Sequence, residues 1–186
     1  MPVGTVDSDS FLQLSFQYNK KLKDAFSPLM KLFNSHLCWF ADIKKNGLTY
    51  ILSSNPEMLQ HYWSHKYYLY DPHMVDISNT NSGLELWSCS DDVYYQGKVL
   101  IDLRNLYGVE EGLSIIKKNN NSCHVLGIAS GDANRYKFYN KLINYGSILS
   151  NPIEYFCKEI PDILQIAHKF AVNMVEFKAE KFYTQQ

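Results

Sequence analysis

The chain has 186 residues, of which 46% are hydrophobic and 20% charged, the balance of one globular domain with enough sequence for a sizeable core. Lysine and arginine number 18 against 19 acidic residues, and the formal charge of −1 argues against this segment itself gripping a phosphate backbone, which needs a basic face. Aromatic residues reach 15%, with 14 tyrosines, whose apolar bodies and polar tips suit the lining of a polar-spotted cavity.

The opening MPVGTVDSDS carries no cationic apolar leader, and no segment has the length of a membrane span, so a cytoplasmic protein without membrane contact is expected. Cys38, Cys89, Cys123 and Cys157 are scattered without CxxC spacing and read as reduced thiols.

From Phe11 to Leu32 apolar residues recur at helical spacing, with Ser27-Pro28 suited to an N-cap and first helical residue, so two helices or one kinked helix is expected. Cys38 to Ile43 and Leu48 to Leu52 read as a hairpin, because Asn46-Gly47 between them accepts the positive φ of a tight turn. Ser54-Asn-Pro-Glu57 has the form of a capping box opening a helix from about Asn55 to Tyr67. Asp71-Pro72 ends that element, Leu84 to Ser88 suits a strand, and a helix from about Val99 to Leu106 stops near Gly108. A second hairpin surrounds the Asn-rich turn KNNNS. Beyond Asp132 the pattern is helical, broken near Gly146 and Asn151-Pro152. It ends on the stripe Ile163, Ala167, Phe170, Met174, Phe177.

Strands joined by hairpins and interleaved with helices imply an α/β fold, a three-layer α-β-α sandwich around about five antiparallel strands with PAS- or GAF-like sensor architecture. One ligand-binding domain over residues 1–186 is expected, with a cavity between sheet and helices.

Two chemical readings are weak. His61 and His65 share a helix face at i, i+4, but no third ligand or HExxH glutamate accompanies them, so they read as surface histidines and no metal is expected. Ser130 in LGIASGD misses the GxSxG spacing of a nucleophile elbow. No phosphate-binding glycine loop occurs and no cofactor is expected.

The stronger signal is an ordered series: Tyr62, then Asp71-Pro72, then Trp87-Ser88, then Gly108-Val-Glu-Glu-Gly112-Leu-Ser-Ile, then LGIASGD. Over roughly Ser35 to Asp132 this series resembles the autoinducer-binding domain of LuxR-type quorum-sensing transcription regulators. The resemblance implies a non-enzymatic receptor for an acylated signal held between sheet and helices. Asp71 would accept from the ligand amide, Tyr62 would donate to the acyl carbonyl, and Ser130 would assist. Trp87 would pack beside the ligand ring and Gly112 would permit a close backbone approach. Met74, Ile101 and Val109 complete the implied ligand-binding set.

Three positions depart from the family. Met58 stands where a tryptophan donates to a lactone carbonyl, Ser54 where a pocket tyrosine is common, and His73 where a branched aliphatic residue is usual. A thioether cannot donate that bond, so weak binding of unmodified acyl-homoserine lactones is expected, with a variant ligand preferred. The family's helix-turn-helix does not appear in this chain, so DNA would be met only through such a domain. The C-terminal stripe predicts a homodimer. An inhibitory dimerisation partner of a full-length regulator is the alternative function, and an acyl-handling hydrolase using Ser130 the third.

Overall fold

The computed structural model describes residues 10–75, 81–132 and 134–174. Six strands, β1 (Cys38–Lys44), β2 (Leu48–Ser53), β3 (Gly83–Leu86), β4 (Gly112–Lys118), β5 (Ser122–Ala129) and β6 (Val172–Asn173), form one antiparallel sheet. Their order is β3-β4-β5-β1-β2-β6. Both hairpins close as their turn residues dictate. Gly47 takes φ +88°, and Asn119 Oδ1 accepts from the Asn121 and Ser122 backbone N–H groups at 3.0 and 2.8 Å.

Because side chains alternate along each strand, the two faces of the sheet differ in bulk. One carries Phe40, Tyr50, Leu126 and Ile128. It is covered by α2 (Asn19–Leu32) and by α7 (Pro152–Glu159) and α8 (Pro161–Lys169), which follow α6 (Arg135–Tyr145) in the chain. Phe156 of α7 stacks on Phe26 of α2 at 4.3 Å and tilts against Phe40 at 5.1 Å, so one ring joins both helices to the sheet. Asp42 is buried on this face beside Lys44 at 2.8 Å, with His124 at 3.6 Å and His168 at 3.8 Å. The opposite face carries small residues, Ala41, Ser114, Gly127 and Ala129, with Trp39 and Ile51 among them. It lies under α1 (Ser10–Gln17), α3 (Pro56–Ser64) and the segment entering α5 (Leu100–Tyr107). The expected three-layer α/β architecture is what forms.

Several local expectations are corrected. The N-terminal helices part at Tyr18, and Pro28 lies inside α2. Ser15 Oγ accepts from Ser53 N at 3.0 Å and Asn19 donates to Ser54 O at 3.1 Å, so both sides of that junction are pinned to the chain leaving β2. The cap of α3 is Asn55, whose Oδ1 accepts from Met58 N at 3.0 Å. Ser54 cannot serve, because its hydroxyl accepts from Cys38 N at 2.9 Å.

A sixth strand replaces the end of the last helix. Pro152 and Pro161 each open a helix, α8 stops at Lys169, and β6 then pairs with the start of β2. The apolar stripe is therefore not one continuous helical surface. Ile163, Ala167 and Met174 are buried in the domain, Phe170 is half-buried, and Phe177 lies outside the described residues. Three of its five residues are therefore core. Of the cysteines, Cys38 and Cys123 are buried, Cys157 is half-buried and Cys89 is exposed.

Replacing Phe156 by alanine is expected to cost about 3–5 kcal/mol, since the cavity would open between two helices and the sheet at once. Urea unfolding followed by circular dichroism measures it.

Candidate functional site

The site begins where α3 ends. Lys66 adopts a left-handed φ of +56° and turns the chain back through a 3-10 turn, Tyr67–Leu69. Asp71 follows, its N–H donating to Tyr67 O at 3.1 Å and its carbonyl accepting from Met74 N at 3.0 Å. Pro72 then opens the short helix α4 (Pro72–Val75), where its missing N–H costs nothing. This reversal carries Asp71 back to α3, and the Tyr62 hydroxyl donates to Asp71 Oδ2 at 2.8 Å. Asp71 is 4% exposed and Tyr62 8%. Burial, and next the adjacent Asp71 carboxylate, raise the Tyr62 phenol well above its usual range, so it remains a donor.

The pair borders a cavity of about 30 Å³ between the small-residue face and its covering helices. Met58, Leu59 and Tyr62 come from α3, Asp71 and Met74 from the turn and α4, and Trp39 and Ile51 from the sheet. Tyr95, Val99 and Leu103 form the remaining wall with Trp87. Tyr95 to Val99 is a π-helical turn leading into α5, so these three residues, four apart, stack along one side. The Tyr95 phenol is also raised well above its usual range, first by burial and then by the Asp71, Glu85 and Glu111 carboxylates.

Two indoles lie across glycines. A Cβ at Gly127 would stand 2.1 Å from the Trp39 ring, and one at Gly112 would stand 2.2 Å from Trp87, so only glycine admits either ring. Trp87 sits just past β3 on a 3-10 turn, not on the strand, and its Nε1 donates to Ser114 Oγ at 3.0 Å. Glu111, 3% exposed, holds the turn in place. It accepts from Ser88 Oγ at 2.6 Å, Ser88 N at 3.2 Å, Gly112 N at 2.9 Å and Tyr139 OH at 2.7 Å. A buried carboxylate with four donors is a satisfied structural anchor.

Of the residues singled out from the sequence, Tyr62, Asp71, Trp87, Met58 and Met74 meet at this cavity. The others do not. Ser54 braces Cys38 N, and Ser130 Oγ accepts from Asp132 N at 3.2 Å. Gly112 makes its close approach to Trp87. Val109 and the exposed Ile101 border a separate surface cleft beyond Trp87. His73 falls within α4, but its side chain is outside what is described.

The lining residues missed were Trp39, Ile51, Leu59, Tyr95, Val99 and Leu103. The spacing of four from Tyr95 to Leu103 was a readable signal; the position of Trp39 was not, because it depends on Gly127 in another strand. His61 and His65 lie with ring centroids 4.0 Å apart, and no group of three metal-ligating side chains occurs among the described residues. Nor is any helix among the described residues long and apolar enough to cross a membrane.

No family model matches the chain, and no curated protein sequence does. Solved structures are similar in fold. A crystal structure of Escherichia coli SdiA gives a TM-score of 0.55 at 11% identity, over 87% of this chain and 71% of that chain. SdiA in complex with octanoyl-rac-glycerol gives 0.54 at 13% identity, over 77% of this chain and 59% of that chain. CepR2 from Burkholderia cenocepacia, an N-acylhomoserine lactone dependent LuxR family transcription factor, gives 0.50 at 13% identity, over 84% and 99%. The chain has the fold of LuxR-type autoinducer-binding domains.

Alkaline stability follows from the buried phenols. Tyr50, Tyr62 and Tyr95 are all raised from 10.0, each chiefly by burial. Above that pH the unfolded chain loses phenolic protons that the native state keeps, so the unfolded state binds fewer protons and stability falls as pH rises. Below it the contribution is fully present. Each such group steepens the fall by about 1.4 kcal/mol per pH unit. Thermal melts across the alkaline range check this, with the exposed tyrosines such as Tyr136 ionising in the folded protein and the tyrosinate absorbance of the buried phenols appearing only as it unfolds.

Proposed function

We propose that this chain is the signal-binding domain of a LuxR-type transcription regulator, holding an acylated small molecule in the cavity between sheet and helices. One observation carries this reading: a carboxylate and a phenol, bonded to each other, are buried in a wall made mostly of apolar and aromatic side chains. An ionised carboxylate has about four lone-pair sites and accepts from more than one donor at once. A ligand N–H or O–H therefore meets a charge-assisted acceptor there, and its acyl chain meets methionine, leucine and aromatic surface. The complex of SdiA with octanoyl-rac-glycerol supports an acyl ligand with a polar head for this fold.

The cavity of about 30 Å³ is far below the ~300–1,000 Å³ of sites that enclose such ligands, so entry requires its walls to part. Met58 and Met74 are the natural yielding parts, since an unbranched thioether side chain repacks readily. Trp39 and Trp87 are both in the wall, so entry must alter indole fluorescence.

A hydrolase has less support. Ser130 Oγ is engaged with the backbone of Asp132, and no histidine hydrogen-bonds it among the described residues. Pairing of copies, or with a full-length regulator, through the C-terminal stripe is no part of this reading, because Ile163, Ala167 and Met174 are core.

The test is binding of a panel of octanoyl esters and amides, followed by indole fluorescence and calorimetry. Micromolar or tighter binding is expected, and Asp71→Asn should weaken it roughly tenfold or more, because an amide accepts without the charge-assisted part. A chain that binds none of them, with its indole emission unmoved, overturns the reading.

A further inference from the structure

The cavity holds a second pair of polar groups that the Tyr62–Asp71 contact does not use. Trp39 is 9% exposed and Tyr95 3%, and both line the cavity. Among the described residues neither the Trp39 indole N–H nor the Tyr95 hydroxyl has a hydrogen-bond partner. Among the described residues the buried side-chain polar atoms sealed in packing without a hydrogen-bond partner are Asp42 Oδ1 and His61 Nε2, and neither of the two groups in the cavity wall is one of them.

Trp87 is different. Its N–H is already given to Ser114, and so is not available to a ligand. Burial first, and then the Asp71, Glu85 and Glu111 carboxylates, keep the Tyr95 proton on its oxygen. Trp39 is fixed by Gly127, since the flat contact of indole on glycine allows the ring little room to turn.

Resting on the reading above, we propose that Trp39 and Tyr95 are the specificity-determining donors of this site. They select acyl ligands whose head carries a carbonyl oxygen, while Asp71 takes a hydroxyl or amide hydrogen on the same head. The selected class is a neutral acyl ester or amide with at least one further donor. A buried donor left unpaired costs about 1–3 kcal/mol, so a ligand without an acceptor is rejected by the groups it strands. The absence of a donor at Met58 is then no absence of donors in the cavity, and the expected weakness toward lactones rests on that position alone.

The experiment compares two probes by calorimetry. Octanoyl-rac-glycerol carries the carbonyl; octyl glyceryl ether keeps the chain and both hydroxyls but lacks it. The unaltered protein is expected to prefer the ester by roughly fivefold or more, the worth of one net hydrogen bond. Trp39→Phe and Tyr95→Phe should each lower ester affinity more than ether affinity, so that the preference shrinks toward one. The ratio within each variant is insensitive to a general loss of affinity, and near-ultraviolet circular dichroism verifies folding. Should Trp39→Phe fail to fold, the Tyr95→Phe ratio and that of the unaltered protein still decide. Equal binding of both probes by the unaltered protein, or a preference that survives in each folded variant, overturns the inference and leaves the acyl-binding reading standing. Binding of neither probe while other octanoyl compounds bind also overturns it; binding of no acyl compound removes both.

Discussion

A carboxylate enclosed by apolar side chains is the constraint around which this molecule is arranged. Asp71 is taken from water, and desolvation of an ionised group costs several kcal/mol unless donors replace the lost hydration. Tyr62 is one such donor, and its geometry depends on much else. Lys66 must turn left-handed, the Tyr67–Leu69 turn must bring the chain back, and Pro72 must start a new helix where a free N–H would otherwise need a partner. The second buried carboxylate, Glu111, is treated differently. Four donors close around it and leave nothing for a ligand, so it serves the wall and not the cavity.

The sheet divides these tasks between its faces. On one side large rings meet large rings, and Phe156 joins Phe26 to Phe40 in a dry core. On the other, glycine and alanine hold the strand surface low, and two indoles lie down upon it. Close packing leaves few voids in a protein interior, so space for a ligand has to be created by small residues at chosen positions. Gly127 and Gly112 do this by carrying the tryptophans flat against the sheet. The same glycines fix where the indole nitrogens stand, and Ser114, neighbour of Gly127 in the register, takes one of them.

Elements set by local chemistry were legible in the sequence. Asn46-Gly47 turns because glycine tolerates its backbone, and Gly108 ends α5 at φ +65° for the same reason. The order Tyr62, Asp71, Trp87 was enough to anticipate that these three side chains share a cavity. What escaped depended on partners distant in the chain. Ser54 has the form of a cap, but Cys38 claims its hydroxyl, and Asn55 takes the role instead. Two residues, Val172 and Asn173, leave a helical pattern because the edge of β2 offers them a ladder. Ser130 reads as a pocket hydroxyl and is a turn brace. Trp39 could be placed only once β5 was known to lie beside β1 with Gly127 opposite.

The cysteines described with the fold bear on how the cavity wall is to be watched. Burial pushes the Cys38 thiol up to about 12, and burial also raises Cys123 and Cys157, so at neutral pH these three hold little of the thiolate that alkylating reagents attack. Cys89 is exposed, and it belongs to the same 3-10 turn as Trp87. Maleimide dyes will therefore couple first at a point two residues from the indole that closes the cavity. The unaltered chain thus carries its own attachment point for a spectroscopic label, set where movement of that wall would change the dye's surroundings.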